Sequence, residues 1–313
     1  MSFKSIVAGV DASPQGTLAA QVAVRVAEAA AVPRWLVHGS RLSFDPPVGV
    51  SFLTDVERLV EQQLDAARQA VTAALRDRVP AQDLAALEVR FGPPAGVIVE
   101  IAHERKAGLM VVGGKHHGAL ARWTGGSTAL NLVRCTDTPL LVAGPYTGAF
   151  RRILLAVDLS HALQPTFQTA MRFARLFDAG VRVVHVVEPL PALAELPVTL
   201  SDESLYADSE EQLHRSLEPL TENVAVDTAV LRGPAAPTVA QHAESWKADL
   251  VVVGSHGKGW MHRLLVGSVT EQLLERMPAS LLVVPVPAPA ETGRRRAARA
   301  QRERAVAQPA ALA

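Results

Sequence analysis

The chain has 313 residues, with 31 basic and 31 acidic side chains, 49% hydrophobic content and only 4% aromatic. That length suits about two domains. The charge balance excludes a global electrostatic pull toward nucleic acid or membrane, and the cores must be built from Ala, Val and Leu. Cys135 is the only cysteine, which excludes an intrachain disulfide and points to a reducing, cytoplasmic setting. Met1-Ser2-Phe3-Lys4 runs too soon into Asp11 to read as a signal peptide, and no apolar run approaches the ~20 residues that span a bilayer.

In chain order, Ile6 to Val10 reads as a buried strand stopped by Asp11-Ala12-Ser13-Pro14. Ser13 suits a helix N-cap and Pro14 the first helical position. Ala19 to Ala31 has a helix former's composition, Trp35 to His38 is a second strand, and a Pro- and Gly-rich loop follows. Val56, Leu59, Val60, Leu64, Ala67, Val71 and Leu75 recur at helical spacing, which predicts an amphipathic helix. Leu87 to Phe91 is a third strand, closed by Gly92-Pro93-Pro94. A helix is expected over Val97 to Glu104, then a strand at Leu109 to Val112, a glycine loop, a helix from about Ser127 to Arg134, and a fifth strand at Leu140 to Ala143. The same order returns, with strands at Ile153 to Val157, Val181 to Val187, Val224 to Leu231, Leu250 to Val253 and Leu281 to Val284.

The return is a duplication. Leu109 to Gly113 matches Leu250 to Gly254, and Gly126-Ser127 matches Gly267-Ser268, both at an offset of 141 (254 − 113 and 267 − 126). Gly92-Pro93 matches Gly233-Pro234 at the same offset, while Val10-Asp11 matches Val157-Asp158 at 147. Strands alternating with helices imply a parallel sheet covered on both faces. The fold class is therefore α/β, with two tandem five-stranded, doubly wound, Rossmann-like domains. The expected domains are residues 1–148 and 149–287, joined at Gly144-Pro145-Tyr146-Thr147-Gly148, with a basic, disordered tail over 288–313.

The segment that points to chemistry is Gly254-Ser255-His256-Gly257, nine residues, then Gly267-Ser268-Val269. Glycines let backbone N–H groups approach phosphate oxygens. A helix opening at Ser268 presents free N–H groups and a positive dipole end to the same anion. Ala156-Val157-Asp158 ends the first strand of this half, where ligands of open parallel sheets bind. There Asp158 either contacts a nucleoside or metal-bound phosphate, or caps the next helix together with Ser160, whose residue type favours the cap.

These residues resemble the universal stress protein family in its tandem form, and its ATP-binding branch in particular. The resemblance rests on Val157-Asp158-Leu159-Ser160, on His185-Val186, on Asp249 to Gly254 and on the glycine spacing, and it covers nearly everything but the tail. It implies strand order 3-2-1-4-5 in each half, adenine contacts near Asp158 and the backbone around Val186, and phosphate and ribose contacts from Gly254, Gly257, Gly267 and Ser268. It implies ATP with Mg²⁺ as the cofactor. In the first half Gly9, Asp11, Gly113, Gly126 and Ser127 stand at matching positions, Gly39 replaces Val186, and His116 replaces Gly257. A Cβ at position 116 penalises a positive φ and crowds a phosphate. Tighter ATP binding in the second half is the expectation.

Other features carry blander readings. His38 and His185 suit hydrogen-bonded strand histidines. His116-His117 has no third ligand at useful spacing for a metal. Cys135 has no activating neighbours in view. Six arginines between Arg294 and Arg304 lack an aromatic platform for nucleic acid. Trp123 and Trp260 lie in the glycine loops and either cover a nucleotide or pack on the other half. With no Gly-Lys-Ser/Thr phosphate loop and no evident general base, the expectation is an ATP-binding stress-response regulator, not an enzyme. Its alternatives are a slow ATP hydrolase or adenylyl-transferring enzyme, and a nucleotide-free scaffold. The duplication suggests an intrachain pseudo-dimer that recruits a protein partner, with a further homodimer open.

Overall fold

A computed structural model of the chain describes residues 3–41, 54–114, 128–144, 148–188, 202–221, 224–256 and 266–286. The first half contains β1 (Ile6–Gly9), α1 (Pro14–Ala30), β2 (Arg34–Ser40), α2 (Thr54–Leu75), α3 (Ala81–Ala85), β3 (Glu88–Phe91), α4 (Pro94–Glu104), β4 (Leu109–Gly113), α5 (Thr128–Cys135) and β5 (Leu140–Ala143). The second contains β6 (Arg152–Val157), α6 (Leu163–Phe177), β7 (Gly180–Val187), α7 (Asp202–Thr221), β8 (Asp227–Arg232), α8 (Ala235–Ser245), β9 (Leu250–Gly254), α9 (Ser268–Arg276) and β10 (Ser280–Val284).

All ten strands join one sheet, in the order β3-β2-β1-β4-β5-β10-β9-β6-β7-β8. Each half has the order 3-2-1-4-5. Every neighbouring pair is parallel except β5 and β10, which run antiparallel. The halves are thus joined edge to edge through their fifth strands. Those strands, Leu-Leu-Val-Ala and Ser-Leu-Leu-Val-Val, are buried throughout; left as free edges they would be aggregation-prone. Leu140 faces Val283, Leu141 faces Leu282, and Val142 faces Leu281. Since residue n of the first half corresponds here to n + 141, this register has a local twofold passing through the Leu141–Leu282 pair.

Alternation along the strands splits the core into two layers. Ile6, Ala8, Leu109 and Val111 point into one layer with α1, α2, α6 and α7. Val7, Met110 and Val112 point into the other with α4, α5, α8 and α9. Both layers contain residues of both halves, so each core runs through the junction. Phe3 meets Phe173 edge to face with centroids 5.4 Å apart, and Phe150 meets Phe173 at 6.0 Å and Phe177 at 5.2 Å. The free edges are charged. On β3, Arg90 pairs with Glu88, Glu100 and Glu104, and its hydrogen bonds hold the Glu104 carboxyl below the usual carboxylate range.

The local signals explain the element ends. Ser13 is the N-cap of α1, its hydroxyl accepting from Gly16 N–H at 3.1 Å, with Pro14 following. Gly92 (φ 143°) and Gly233 (φ 133°) sit at equivalent turns after β3 and β8, a conformation that favours glycine. The expected cap at Ser160 is corrected. α6 begins only at Leu163 with Ala162 as its N-cap, and the Ser160 hydroxyl instead accepts from Ala162 N–H at 3.1 Å within the turn ahead of the helix. His161 stands where the first half has Pro14, so nothing presets the helical φ there, and Leu159 takes up a left-handed φ of 56°.

Candidate functional site

The carboxyl ends of β6 and β9 lie beside each other because β6 pairs with β9 in the sheet. This is the strand-order switch of the second half, with β7 on one side and β10 on the other. β6 delivers Ala156 and Val157 and then Asp158, which lies just beyond its last residue. Asp158 Oδ1 accepts from Ser160 N–H at 3.1 Å. Asp158 Oδ2 is buried with no hydrogen-bond partner among the described residues. A buried carboxylate oxygen in that state costs about 1–3 kcal/mol or more. The adjacent left-handed Leu159 is a second departure from relaxed geometry at the same place, and such departures concentrate at functional sites.

β9 delivers Gly254, Ser255 and His256. A Cβ at Gly254 would lie 3.1 Å from Val286 Cγ2, 3.2 Å from the His256 carbonyl oxygen and 3.3 Å from Ala162 Cβ. Ser255 turns inward. Its N–H donates to Val284 O at 2.8 Å, its carbonyl accepts from Gly267 N–H at 2.9 Å, and its hydroxyl accepts from Val286 N–H at 3.1 Å. The side chain is 3% exposed. Its N–H, carbonyl and hydroxyl all take part in holding the loop ends. Its hydroxyl also lies 2.9 Å from His256 Nδ1.

The Ser255–Gly267 bond brings the two ends of the glycine segment together and sets the start of α9. Gly267 is the N-cap, in an extended conformation (φ −60°, ψ 138°), without a side-chain cap. The first intrahelical bond is Glu271 N–H to Gly267 O at 2.9 Å. The N–H groups of Ser268, Val269 and Thr270 precede it, so the helix offers an anion-binding end that no side chain caps among the described residues. Thr270, not singled out in the sequence, donates from its hydroxyl to Gly254 O at 2.8 Å and is 3% exposed. It ties the helix to the strand; its threonine in the first turn after Gly-Ser was the available signal, and the first half has Ala129 there. Val186, the penultimate residue of β7, is partly buried against the α8–α9 layer. Gly257 lies outside the described residues.

His185 Nδ1 lies 2.8 Å from Val157 O, and His38 Nδ1 lies 2.8 Å from Val10 O. A carbonyl only accepts, so Nδ1 carries the proton in both rings. These histidines fasten the second strand of each half to the end of the first, next to Asp158 and Asp11.

In the first half the space beside the glycines at matching positions is filled by protein. A Cβ at Gly113 would lie 2.6 Å from the Gln15 carbonyl carbon and 2.8 Å from Gln15 Cβ. α1 starts two residues earlier than α6 at matched positions, and its first turn sits on Gly113. A Cβ at Gly9 would meet Ile98 Cγ1 at 3.0 Å, with Cδ1 nearer still, and one at Gly39 would meet Pro94 Cα at 2.7 Å. Asp11 is exposed, and its Oδ1 accepts from both the N–H and the hydroxyl of Ser13. Gly126, Ser127, His116, His117 and Trp123 lie outside the described residues, as do Trp260 and the 288–313 tail. Among the described residues no group of three or more His, Cys, Asp or Glu is placed to hold a metal, and no helix is long and apolar enough to cross a membrane. Cys135 is exposed.

The sequence profile of the universal stress protein family matches residues 2–144 and again 149–285. A universal stress protein of Mycobacterium tuberculosis H37Rv is 29% identical over 305 residues, covering 90% of this chain and 96% of its own. One from Methanocaldococcus jannaschii is 32% identical over 142 residues, covering 44% of this chain and 84% of its own. The crystal structure of a universal stress protein from Archaeoglobus fulgidus covers 90% of this chain and 96% of its own, with a TM-score of 0.59 at 15% identity.

Proposed function

Because the chain belongs to the universal stress protein family, in two tandem copies, we propose that it is a stress-response regulator that binds ATP at the carboxyl ends of β6 and β9. The observation that carries this reading is Asp158 Oδ2, buried and without a hydrogen-bond partner among the described residues. An adenine amino group or a ribose hydroxyl would supply the missing donor. The N–H groups of Ser268, Val269 and Thr270 suit the phosphates. Mg²⁺, when bound, would neutralise phosphate charge. With no group of three or more metal-ligating side chains among the described residues, this chain would hold it chiefly through the nucleotide itself, as Mg²⁺ sites commonly do.

The first half serves as scaffold in this reading. Gln15, Ile98 and Pro94 occupy the space that its missing Cβ atoms vacate. One ATP per chain is the expected stoichiometry. The protein works by occupancy, not turnover: ATP favours one state of the surface offered to a partner over another, and the shift it produces equals its differential affinity for the two.

The test is mass spectrometry of nucleotide released from freshly purified, denatured protein, followed by calorimetric titration with Mg-ATP. Release of an adenine nucleotide and a stoichiometry near one support the reading. No heat and no thermal shift at millimolar Mg-ATP refute it. Turnover well above background would move the protein to the hydrolase or adenylyl-transfer class.

A further inference from the structure

α9 does not belong to the second half alone. Near its start, Glu271 Oε1 lies 3.8 Å from Arg134 of α5 in the first half. Just past its end, Met277 is the left-handed C-cap (φ 46°), 3% exposed. The Met277 methyl packs so closely on Gly114 that a Cβ there would lie 2.8 Å from Cε. Gly114 directly follows β4 and is fixed by its N–H to Ala143 O at 3.0 Å. A helix of nine residues, about 13 Å long, is therefore held by first-half groups at both ends. The arrangement runs one way. The positions matching Glu271 and Arg134 are Leu130 and Glu275, and those matching Met277 and Gly114 are Thr136 and Ser255, so neither the charge pair nor the methyl-on-glycine contact recurs.

We propose that the first half sets the nucleotide affinity of the second by clamping α9 at both ends, through Arg134–Glu271 and Gly114–Met277. The proposal rests on the ATP-binding reading above and adds its regulation. The electrostatic arm follows from position. Glu271 places a negative charge in the first turn of the helix whose N–H groups face the phosphates, and Arg134 offsets that charge. The steric arm follows from rigidity. A displaced Met277 shifts α9 along its axis, and with it the N–H groups of Ser268 to Thr270. Any first-half partner that moves α5 or the end of β4 changes ATP affinity without touching ATP.

The experiment is calorimetric titration of the full chain with Mg-ATP. Arg134→Gln weakens binding by about two- to fivefold, Glu271→Gln tightens it comparably, and the double variant returns near wild type, as expected for a half-exposed pair; 0.5 M salt shrinks both single-variant differences. Gly114→Ala weakens binding by about fivefold, within the usual range of intersite coupling, and Gly114→Ala with Met277→Ala recovers part of it by removing the closest contact, the remaining ones being Ala143 O at 3.1 Å and Val142 Cγ1 at 3.2 Å. Should Gly114→Ala fail to fold, the charge pair alone decides. Affinities of folded charge variants all within twofold of wild type overturn the clamp and leave the ATP reading standing. A wild-type chain that binds no nucleotide overturns both.

Discussion

Gly9 and Ile98 in the first half correspond to Ala156 and Val239 in the second, so one carbon has moved from the helix to the strand between the copies. Adding a methyl at Gly9 places it 3.0 Å from Ile98 Cγ1, closer still to Cδ1, and 3.2 Å from Val112 Cγ1. Ile98 is 2% exposed and Val112 3%, so neither has free space to yield into. Overpacking of this kind costs about 1–3 kcal/mol, and relief of the glycine's unfolded-state entropy returns at most about 1 kcal/mol. Gly9→Ala is therefore expected to cost about 1–2 kcal/mol. Ile98→Val alone costs about 0.5–1.5 kcal/mol for the lost methyl. Together they rebuild the second half's packing, with Val112 standing where Val253 stands, and Cδ1, the closest atom, is gone. The double variant is expected within about 0.5 kcal/mol of wild type, a coupling of about 2 kcal/mol. Urea unfolding of the four proteins with a common m-value measures it. Costs that add within 0.5 kcal/mol, as for independent sites, would refute the argument that these glycines exist for packing.

Gly113→Ala forces a methyl onto the Gln15 backbone and should lower Tm by about 5–10 °C for a cost of about 2–3 kcal/mol. Gly254→Ala, whose neighbours at 3.1–3.3 Å must yield by a few tenths of an ångström, should lower Tm less than Gly113→Ala does yet abolish the thermal shift given by Mg-ATP; equal Tm losses would contradict the proposed difference between the halves. Asp158→Asn keeps the acceptor for Ser160 N–H and removes the buried unpaired charge, so apo stability should hold or rise by about 1 kcal/mol while ATP affinity falls at least tenfold; unchanged affinity would remove Asp158 from the site. Burial, reinforced by the Arg182 charge and opposed by Asp227, holds His242 below its usual 6.5. The folded state resists protonation that the unfolded chain accepts, so stability present above pH 6.5 is lost as pH falls through the folded value. His242→Gln should flatten the Tm profile between pH 7.5 and 5; an unchanged slope would show that other groups carry it.

The strands were legible because a sheet buried on both faces needs runs such as Leu109 to Val112 and Leu250 to Val253, and the duplication fixed each half's order once the family pattern was recognised. The joint between β5 and β10 was not legible. Both read as ordinary strands ending a domain, and the antiparallel register depends on two edges meeting in space. Helix starts were read correctly where a side chain or ring dictates them, as at Ser13-Pro14, and misread at Ser160, where the same serine without proline caps only a turn. Glycines were the hardest residues to interpret. Sequence shows that a Cβ is absent at Gly9, Gly39 and Gly113, but not whether ligand or protein takes its place. Ile98, Pro94 and Gln15, which take it, lie far away in the chain. Asp158 and the Gly267-Ser268 helix start were visible in the sequence as candidates; the unpaired Oδ2 and the tie from Thr270 needed coordinates.

The face between α4 and the strands of its half has diverged by exchange across the contact, not by drift at single positions. Trp35 on β2 stacks under Arg105 after α4 at 5.2 Å; in the second half Arg182 on β7 lies over Trp246 after α8 at 4.9 Å. Aromatic and cation have swapped elements and the cation–π contact, worth about 0.5–1 kcal/mol at such sites, is kept. Gly9 with Ile98 against Ala156 with Val239 repeats the pattern for volume. In both cases the volume or charge of the pair is nearly constant while its distribution between sheet and helix is not. Gly39 with Pro94 against Val186 with Ala235 also moves bulk onto the strand, with one side-chain carbon added. What differs is therefore how near the helix backbone comes to the strand ends. With glycine on the strands, α4 seats close over β1 and β2. With Ala156 and Val186 there instead, the strands of the second half carry the side chains themselves. The same overall packing thus brings helix atoms against the strand-end glycines of one copy, while the other holds an aspartate oxygen that no group among the described residues satisfies.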